Sequence, residues 1–407
     1  MRLKKIILYA TLLVGSCTGF TRSANNWTKE NLVFADKQLR TATRAVAKSI
    51  AEGPTNVDLK WISPRSINKD GTLRIVTYLD WTCGFFPGTL WYMYENTGNK
   101  NWRKTAKEFT ELMEGGKDRT NTHDVGFLMY CSYGNGYRLT KDSTYKQILI
   151  QSARSLITRY SPKVGCIRSW DFNRQRWNFP VIIDNMMNLE ILFWAAKATG
   201  EKQFYDIAVS HANTTLKNHF RDDNSCYHVV DYFPETGAVR KKETHQGFSD
   251  SSSWARGQAW GLYGFTLCYR ETNDKKYLEQ AVKIAEYILS NPNLPKDLIP
   301  WWDYDAPKTK DTPRDVSAAM ITASALYELS QFDTTKTSRY LKCADTILQN
   351  VTENYRTPLG SGFGFLLQHS TGNKPSGDEI DVPISYADYY FMEALTRKAK
   401  LDQRKKK

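Results

Sequence analysis

A short helical pattern recurs along the chain and limits the folds open to it. In each copy an aromatic helix end leads into a polar turn, and the next helix carries an aromatic residue four positions before an alanine. A spacing of four places both side chains on one helix face, so each copy predicts a helical hairpin. The pairs are Trp102/Ala106, Phe204/Ala208, Tyr277/Ala281 and Tyr340/Ala344, with a looser copy at 136–153.

Hydrophobic periodicity over the whole chain predicts about twelve helices. Their ranges are 27–52, 84–97, 101–115, 123–139, 142–160, 185–199, 202–219, 253–271, 274–290, 314–331, 335–353 and 384–399. Six hairpins at irregular intervals do not fit an open solenoid of short repeats. They fit a closed ring in which one helix of each hairpin is inside and the other outside. We therefore predict an all-α fold, an (α/α)6 barrel formed by residues 25–400.

Four long segments interrupt the helices, at 54–80, 161–183, 220–252 and 292–313. Loops of this length in a compact domain are usually functional. In a closed ring, the loops at the ends where the inner helices begin form a pocket. The third segment has short alternating apolar stretches, which predict a small β-hairpin.

Charge and composition narrow the choice of ligand. The chain of 407 residues has a net charge of +13, and aromatic residues make up 13% of it. A basic surplus attracts polyanions, and many aromatic rings suit a groove that stacks on ring-shaped ligands. Apart from a basic tail at 401–407, the basic residues are dispersed and fit no nucleic-acid-binding motif. Nucleic acid is therefore not a predicted partner.

The sequence contains no phosphate-binding loop, dinucleotide fingerprint, zincin motif or serine-hydrolase elbow. Its six histidines are scattered, so we predict neither a metal site nor a cofactor. The candidates for chemistry that remain are acidic residues at helix starts.

The N-terminus predicts export. Basic residues at positions 2, 4 and 5 precede a short apolar run at 6–14 and the sequence Gly15-Ser16-Cys17. "LVGSC" resembles a bacterial lipobox, in which Cys17 is lipidated, and ordinary cleavage nearby is the alternative. We assign residues 1–24 to an export signal and a short linker. The expected location is the periplasm, or a membrane-anchored lipoprotein, of a Gram-negative-type bacterium.

Six cysteines remain after Cys17, at positions 83, 131, 166, 226, 268 and 343. They fit no metal-binding spacing, and apolar helix neighbours surround most of them. We expect buried free thiols, and a disulfide among them stays open. The sequence does not indicate an oligomeric state.

Two aspartates lie at the starts of apolar helices. Asp184 opens "IIDNMMNLE" and Asp124 opens "HDVGFLMY". Each either caps its helix or is a carboxyl group in a dry pocket, where a raised pKa suits it to donate a proton. A third helix start carries Arg256, whose buried guanidinium would need an anion from the protein or from a ligand. Together with His228, Gln246, Trp254 and Trp260, these residues would describe a site for an acidic sugar.

Several separated motifs resemble a known family. They are "THDVGFL", "IIDNMMNLEILFWA", "YHVVDY", "THQGFSDSSSWARGQAW" and "DVPISYADYYFMEAL". In order and type they resemble the unsaturated glucuronyl hydrolases, glycoside hydrolase family 88, over residues 27–400. The family fold is an (α/α)6 barrel, the fold predicted independently from the helix pattern.

The resemblance implies removal of the 4,5-unsaturated uronic acid that polysaccharide lyases leave on glycosaminoglycan fragments. It makes Asp184 the general acid and base and Asp124 the second carboxylate. Asp184 would protonate C4 of the enol ether, and water would add at C5. The implied substrate-binding residues are His228, Gln246, Trp254, Arg256 and Trp260, with Trp81, Phe85 and Trp170 as further stacking walls.

Sulfate recognition is less well defined by the resemblance. Ser370 and Lys374, with Asn373, only partly reproduce a sulfate-binding pattern of some family members. The basic run of Arg240, Lys241 and Lys242 offers further possible sulfate contacts. The alternatives to this function are an unsaturated galacturonyl hydrolase on the same fold and a non-catalytic polyanion-binding lipoprotein.

Overall fold

The structure is a computed structural model that describes residues 24–53 and 60–404. The predicted export signal up to residue 23, with Cys17, lies outside the described residues, as do residues 405–407 of the basic tail. Residues 401–404 continue the last helix.

The chain is mainly helical. Its α-helices are α1 (Ala24–Ala51), α2 (Phe85–Thr97), α3 (Lys100–Glu111), α4 (Asn135–Thr140), α5 (Ser143–Ile157), α6 (Asn185–Asn188), α7 (Glu190–Thr199), α8 (Lys202–Asn218), α9 (Ala255–Thr272), α10 (Lys275–Ser290), α11 (Val316–Leu329), α12 (Thr337–Asn354) and α13 (Ser385–Arg404). A π-helix spans Gly126–Gly134, and short 3₁₀-helices span Glu114–Asp118 and Gly362–Gly364.

The inner helices form a closed ring. Contacts run from α2 to the π-helix, then to α6, α9, α11 and α13, and from α13 back to α2. The inner helices are buried over most of their length, and every residue of α11 is buried. This arrangement confirms the predicted (α/α)6 barrel.

The outer layer consists of α1, α3, α5, α8, α10 and α12. These helices are amphipathic, so only one face of each packs on the ring. The four predicted aromatic–alanine pairs lie on α3, α8, α10 and α12, and all eight side chains are buried. The pattern that indicated hairpins therefore marks the inward faces of outer helices.

Two predicted helices are irregular in the structure. The segment predicted at 123–139 is a π-helix followed by α4, and the segment at 185–199 is divided into α6 and α7. Both irregularities lie in inner helices that follow the candidate acids, Asp124 and Asp184. A π-helix inserts extra backbone per turn and is often found near functional sites.

Short strands lie in the long loops. Strands β1 (Ser63–Ile67) and β2 (Leu73–Val76) pair, as do β3 (Tyr160–Ser161) and β4 (Cys166–Ile167). Strands β5 (Pro180–Ile182), β6 (Val229–Tyr232) and β7 (Val239–Glu243) form an antiparallel sheet. The β6–β7 pair confirms the hairpin predicted in the third long loop.

All six described cysteines are free thiols, and five of them are buried. Among the helices that the structure describes, none is both long and apolar enough to cross a membrane.

Candidate active site

A cavity of about 490 Å³ opens at the barrel end where the inner helices begin. Three of the long loops, the segment at 119–124 and the segment around 372–379 form its walls. Its lining includes five of the predicted site residues, namely Asp124, Asp184, Trp81, Trp170 and Gln246. The loop at 292–313 is outside the lining and supports it, because Asp303 accepts hydrogen bonds from the Phe248 backbone and the Ser252 hydroxyl.

Asp184 lies just before α6 and is only 7% exposed to solvent. Its side chain makes no capping bond to the first turn, which excludes the capping interpretation. Its Oδ2 atom is buried without a hydrogen-bond partner among the described residues. A buried carboxyl oxygen that no donor satisfies is costly when ionised, so its surroundings favour the protonated form.

The pKa of Asp184 follows from these surroundings. Burial raises it to about 6, and the charge of Asp124 adds to the rise. His123 and Arg256 oppose the shift. Asp184 is therefore half protonated near pH 6, where an ordinary aspartate is almost fully ionised, and this suits an acid that must protonate carbon.

His228 faces this carboxyl group and is fixed in one tautomer. Its Nδ1 atom accepts hydrogen bonds of 3.1 Å from the backbone N–H groups of His245 and Gln246. Burial lowers its pKa well below the usual range, so the ring is neutral and the proton is on Nε2. That Nε2 atom lies 3.7 Å from Oδ2 of Asp184. His228 is thus poised to donate to Asp184 once the carboxylate forms.

Asp124 is held in the opposite state. Its oxygens lie 2.7 Å from the Thr122 hydroxyl, which donates to it, and 3.2 Å from Nε2 of His123. Burial would raise its pKa, but His123, Thr122 and Arg119 outweigh burial and lower it below the usual value. Two carboxyl groups whose pKa values are pushed apart provide an acid and an anion within one cavity.

The two acid-bearing helices are joined directly by Asn188. Its Oδ1 atom accepts a 2.8 Å hydrogen bond from the backbone N–H of Phe127 in the π-helix. Asn188 is fully buried in α6, one turn after Asp184. A side chain placed at Gly126 would meet Asn188 Cα at 2.6 Å, so only glycine permits this approach. The separation of the two acids is therefore set by packed backbone.

Arg256 is buried behind the cavity and finds its anion within the protein. Its Nη1 atom lies 2.6 Å from Oδ2 of Asp315. The guanidinium also donates to the carbonyls of Thr371 and Gly372. Gly372 lines the cavity and also accepts from Nε2 of Gln246 at 3.1 Å. Arg256 is thus placed to hold the wall, whereas the resemblance implied contact with the sugar.

The predicted aromatic residues divide into two groups. Trp81 and Trp170 line the cavity, whereas Phe85, Trp254 and Trp260 lie outside its lining. Phe85 and Tyr386 support Trp81 with ring centroids 5.8 and 5.1 Å away. Trp254 packs on His228 at 4.6 Å and on the guanidinium of Arg256, and Trp260 packs on Phe127 at 5.1 Å.

The five candidate sulfate contacts lie outside the cavity lining. Ser370 is fully buried and pairs with Val382 through its backbone. Lys374 is half-buried next to Asn373, which does line the cavity.

The basic run belongs to strand β7, where its charges have partners in the protein. Arg240 pairs with Asp231, Lys241 with Glu243, and Lys242 lies 5.0 Å from the ring of Tyr227. This placement does not favour the predicted sulfate contacts of these three residues.

Several lining residues were not identified from the sequence. They are Arg65, Asp80, Arg119, Asn121, His123, Phe172, His245, Asp378, Glu379 and Tyr386, among others. Most are single polar residues in loops, where no periodicity marks them. Phe172 is 49% exposed and stacks on Trp170 at 4.8 Å, so it extends the aromatic wall towards solvent.

Within the described residues, no group of three or more His, Cys, Asp or Glu could hold a metal ion.

Comparison with known proteins places this cavity in a family. The family model described as Glycosyl Hydrolase Family 88 matches residues 60–270, which include Asp124, Asp184 and Arg256. The chain belongs to glycosyl hydrolase family 88. Its family 88 relatives include an unsaturated glucuronyl hydrolase from Formosa agariphila, 52% identical over 79% of this chain and 80% of the relative. An unsaturated chondroitin disaccharide hydrolase from Streptococcus pneumoniae is 33% identical over 87% of this chain and 91% of that protein's length.

Comparison with a solved structure extends the similarity to the whole fold. The crystal structure of an unsaturated glucuronyl hydrolase specific for heparin superposes with a TM-score of 0.87 at 46% identity. The match covers 93% of this chain and 98% of that chain.

Proposed function

We propose that this protein removes 4,5-unsaturated glucuronic acid from the non-reducing end of lyase-generated glycosaminoglycan fragments. Membership of family 88 supports the substrate class. The observation that carries the proposal is Asp184, a buried carboxyl group in the cavity with a pKa of about 6 and one oxygen that no described residue hydrogen-bonds. A proton donor of this kind suits the hydration of an enol ether.

The reaction begins with proton transfer from Asp184 to C4 of the C4=C5 double bond. Positive charge develops at C5 and on the ring oxygen, and the ionised Asp124 offsets it electrostatically. Water adds to C5 and returns a proton to Asp184, which restores the acid. The product is a hemiketal at C5, which opens spontaneously and releases the rest of the fragment.

His228 assists while Asp184 is ionised. The Nε2–H of the neutral imidazole, 3.7 Å from Oδ2, can close to hydrogen-bond distance when the carboxylate forms. Trp81 and Trp170 provide flat walls for the sugar rings, and Phe172 extends this surface at the mouth. A cavity of about 490 Å³ is within the usual range for a small oligosaccharide-sized ligand.

The direct test is loss of the ultraviolet absorbance of the conjugated C4=C5 bond. Unsaturated disaccharides from chondroitin, hyaluronan and heparin, plain and sulfated, form the panel, and saturated disaccharides are the control. We expect bleaching of unsaturated substrates only. Equal cleavage of saturated disaccharides would exclude hydration, and activity confined to unsaturated galacturonyl-rhamnose would assign the chain to the galacturonyl group. Binding without bleaching would indicate a non-catalytic protein.

We also propose export and lipidation at Cys17, on the strength of the basic, apolar and "LVGSC" segments of the N-terminus. Labelled palmitate should enter the wild-type protein in a bacterial host and should not enter Cys17→Ser. Equal labelling of both proteins, or of neither, would contradict lipidation at this position.

A further inference from the structure

Most charged groups around the cavity are already paired. Arg65 of the lining pairs with Asp80 and Glu379, and the lining residues Asp378 and Asp171 pair with Arg74 and Arg159, which lie outside it. Among the described Asp, Glu and Arg residues that line the cavity, only Asp124, Asp184 and Arg119 form no such pair. After internal pairing, the described part of the lining therefore offers one arginine without a carboxylate partner, Arg119, beside its two candidate acids.

The guanidinium of Arg119 directs three of its five N–H groups to neutral acceptors. Nε and Nη2 donate to Oδ1 of Asn121 at 3.3 and 3.0 Å, and Nη1 donates to the carbonyl of Leu79. Because a guanidinium has five N–H groups, one remains on each Nη atom. Burial lowers the pKa of Arg119, as expected for a desolvated cation without a carboxylate in contact.

We propose that these two N–H groups of Arg119 bind an oxyanion of the substrate, either the carboxylate of the unsaturated uronic acid or a sulfate ester. This inference rests on the proposed function and assigns it a specificity residue. Arginine binds carboxylate and sulfate through paired N–H groups of its planar guanidinium, and Arg119 keeps one N–H on each Nη atom for such a pair.

The position of Arg119 favours this role because it shares a short, fixed segment with Asp124. Every residue from 119 to 124 except Thr120 lines the cavity. The carbonyl of Thr120 accepts a 2.6 Å hydrogen bond from Arg159, and the N–H of His123 donates to the carbonyl of Ser169 at 3.0 Å. An anion bound at Arg119 is thus held in register with the catalytic acids.

Charge balance gives a second reason. An anionic substrate entering beside the ionised Asp124 meets repulsion that a low-dielectric cavity strengthens. A cation that is not neutralised by the protein can offset that repulsion only if it faces the cavity, and Arg119 does so. The arginines paired with carboxylates contribute much less.

The test compares Arg119→Met and Arg119→Lys with a matched control, Arg174→Met. Arg174 is exposed, lies outside the lining and donates to the carbonyl of Asp171. Its loss removes the same charge near the cavity mouth. We expect Arg119→Met to raise KM about 10- to 100-fold with a smaller change in kcat, since a charged hydrogen-bond pair is lost. Arg119→Lys should recover part of this loss, and the control should stay within about twofold of wild type.

Substrate variants distinguish the two sources of the oxyanion. If the ligand is the uronate, Arg119→Met raises KM by the same factor for all substrates. Methyl esterification of the carboxylate then raises the KM of the wild-type enzyme but not that of Arg119→Met. If the ligand is a sulfate, Arg119→Met raises KM only for the substrates that carry that sulfate.

A KM within twofold of wild type on every substrate, or a loss that neither esterification nor desulfation changes, would overturn the proposal. Thermal unfolding checks that Arg119→Met is folded. Wild-type turnover in the same assay separates this outcome from failure of the proposed function itself.

Discussion

Within the described part of the chain, one oxygen of the Asp184 carboxyl group has no hydrogen-bond partner, whereas the Asp124 carboxyl group contacts a hydroxyl and an imidazole. Both residues come just before an inner helix, so chain position alone does not separate their roles. Their surroundings do, because burial raises the pKa of Asp184, whereas contacts with His123 and Thr122 lower the pKa of Asp124. The direction of proton transfer is therefore set by neighbouring side chains.

Asp184→Asn should remove turnover and increase stability at neutral pH. Ionising Asp184 in the folded state is unfavourable. A pKa raised from 3.8 to about 6 lowers the free energy of unfolding by about 3 kcal/mol at most when the pH is above both values. The amide avoids this cost and cannot donate to carbon. Ultraviolet bleaching and thermal unfolding at pH 7.5 measure the two effects.

Asp124→Asn is the matched comparison for this prediction. It should also lose most of its activity, because the two acids act as a unit. Its carboxylate is stabilised by neighbours, so it should not gain stability. More than a few per cent of wild-type turnover in Asp184→Asn would contradict the assignment.

The pH dependence of kcat should show the protonation of Asp184. Because the reaction needs its acid form, activity should be fully present below about pH 6 and fall tenfold per pH unit above it. Asp124, with a lowered pKa, should remain ionised throughout that range. Initial rates at saturating substrate between pH 4.5 and 9 measure this profile, and a flat profile to pH 9 would exclude Asp184 as the acid.

Sequence patterns predicted five residues that line the cavity, namely the two acids, Trp81, Trp170 and Gln246, because each lies near a helix start or in a recognisable motif. They do not identify Arg119, whose loop position has no period and whose importance depends on which other charges are paired. Arg256 shows the converse. Its motif is distinctive, but a partner 59 residues away, Asp315, determines that it supports the wall.

At the level of elements, the crossing of the π-helix and α6 positions the acids. Gly126→Ala should force Asn188 away, since a Cβ atom would lie 2.6 Å from its Cα. We expect a destabilisation of about 1–3 kcal/mol and a fall in kcat larger than any rise in KM. Thermal unfolding and steady-state kinetics measure both.

Gly261→Ala is the control for this crossing. It lies in the inner helix α9, where the nearest atoms to a Cβ are 3.5 Å away, and it should be neutral or slightly stabilising. Equal behaviour of the two variants would show that the crossing does not control the site.

Sequence analysis predicted both helices but not the π-helix or the break at Leu189, because each depends on how tightly neighbouring helices pack.

At the level of the molecule, the recurring helical hairpin made the barrel predictable, since six hairpins at irregular intervals fit a closed ring and not an open solenoid of short repeats. The net charge of +13 also acts at this scale. We expect kcat/KM for anionic fragments to fall as sodium chloride is raised from 20 to 500 mM, because salt screens long-range attraction. A methyl-esterified, unsulfated substrate is the control, and equal salt dependence for both substrates would contradict charge steering.

The ring closes through α13 against α2, and the cavity contains both Arg65 and Tyr386. Contacts this distant in the chain form slowly, because a long loop must be closed before they stabilise anything. Local hairpins need no such closure, so helix content should recover early when the unfolded protein is diluted from denaturant. Catalysis should return only when the first and last inner helices meet, and the bleaching assay thus becomes a clock for the final step of folding.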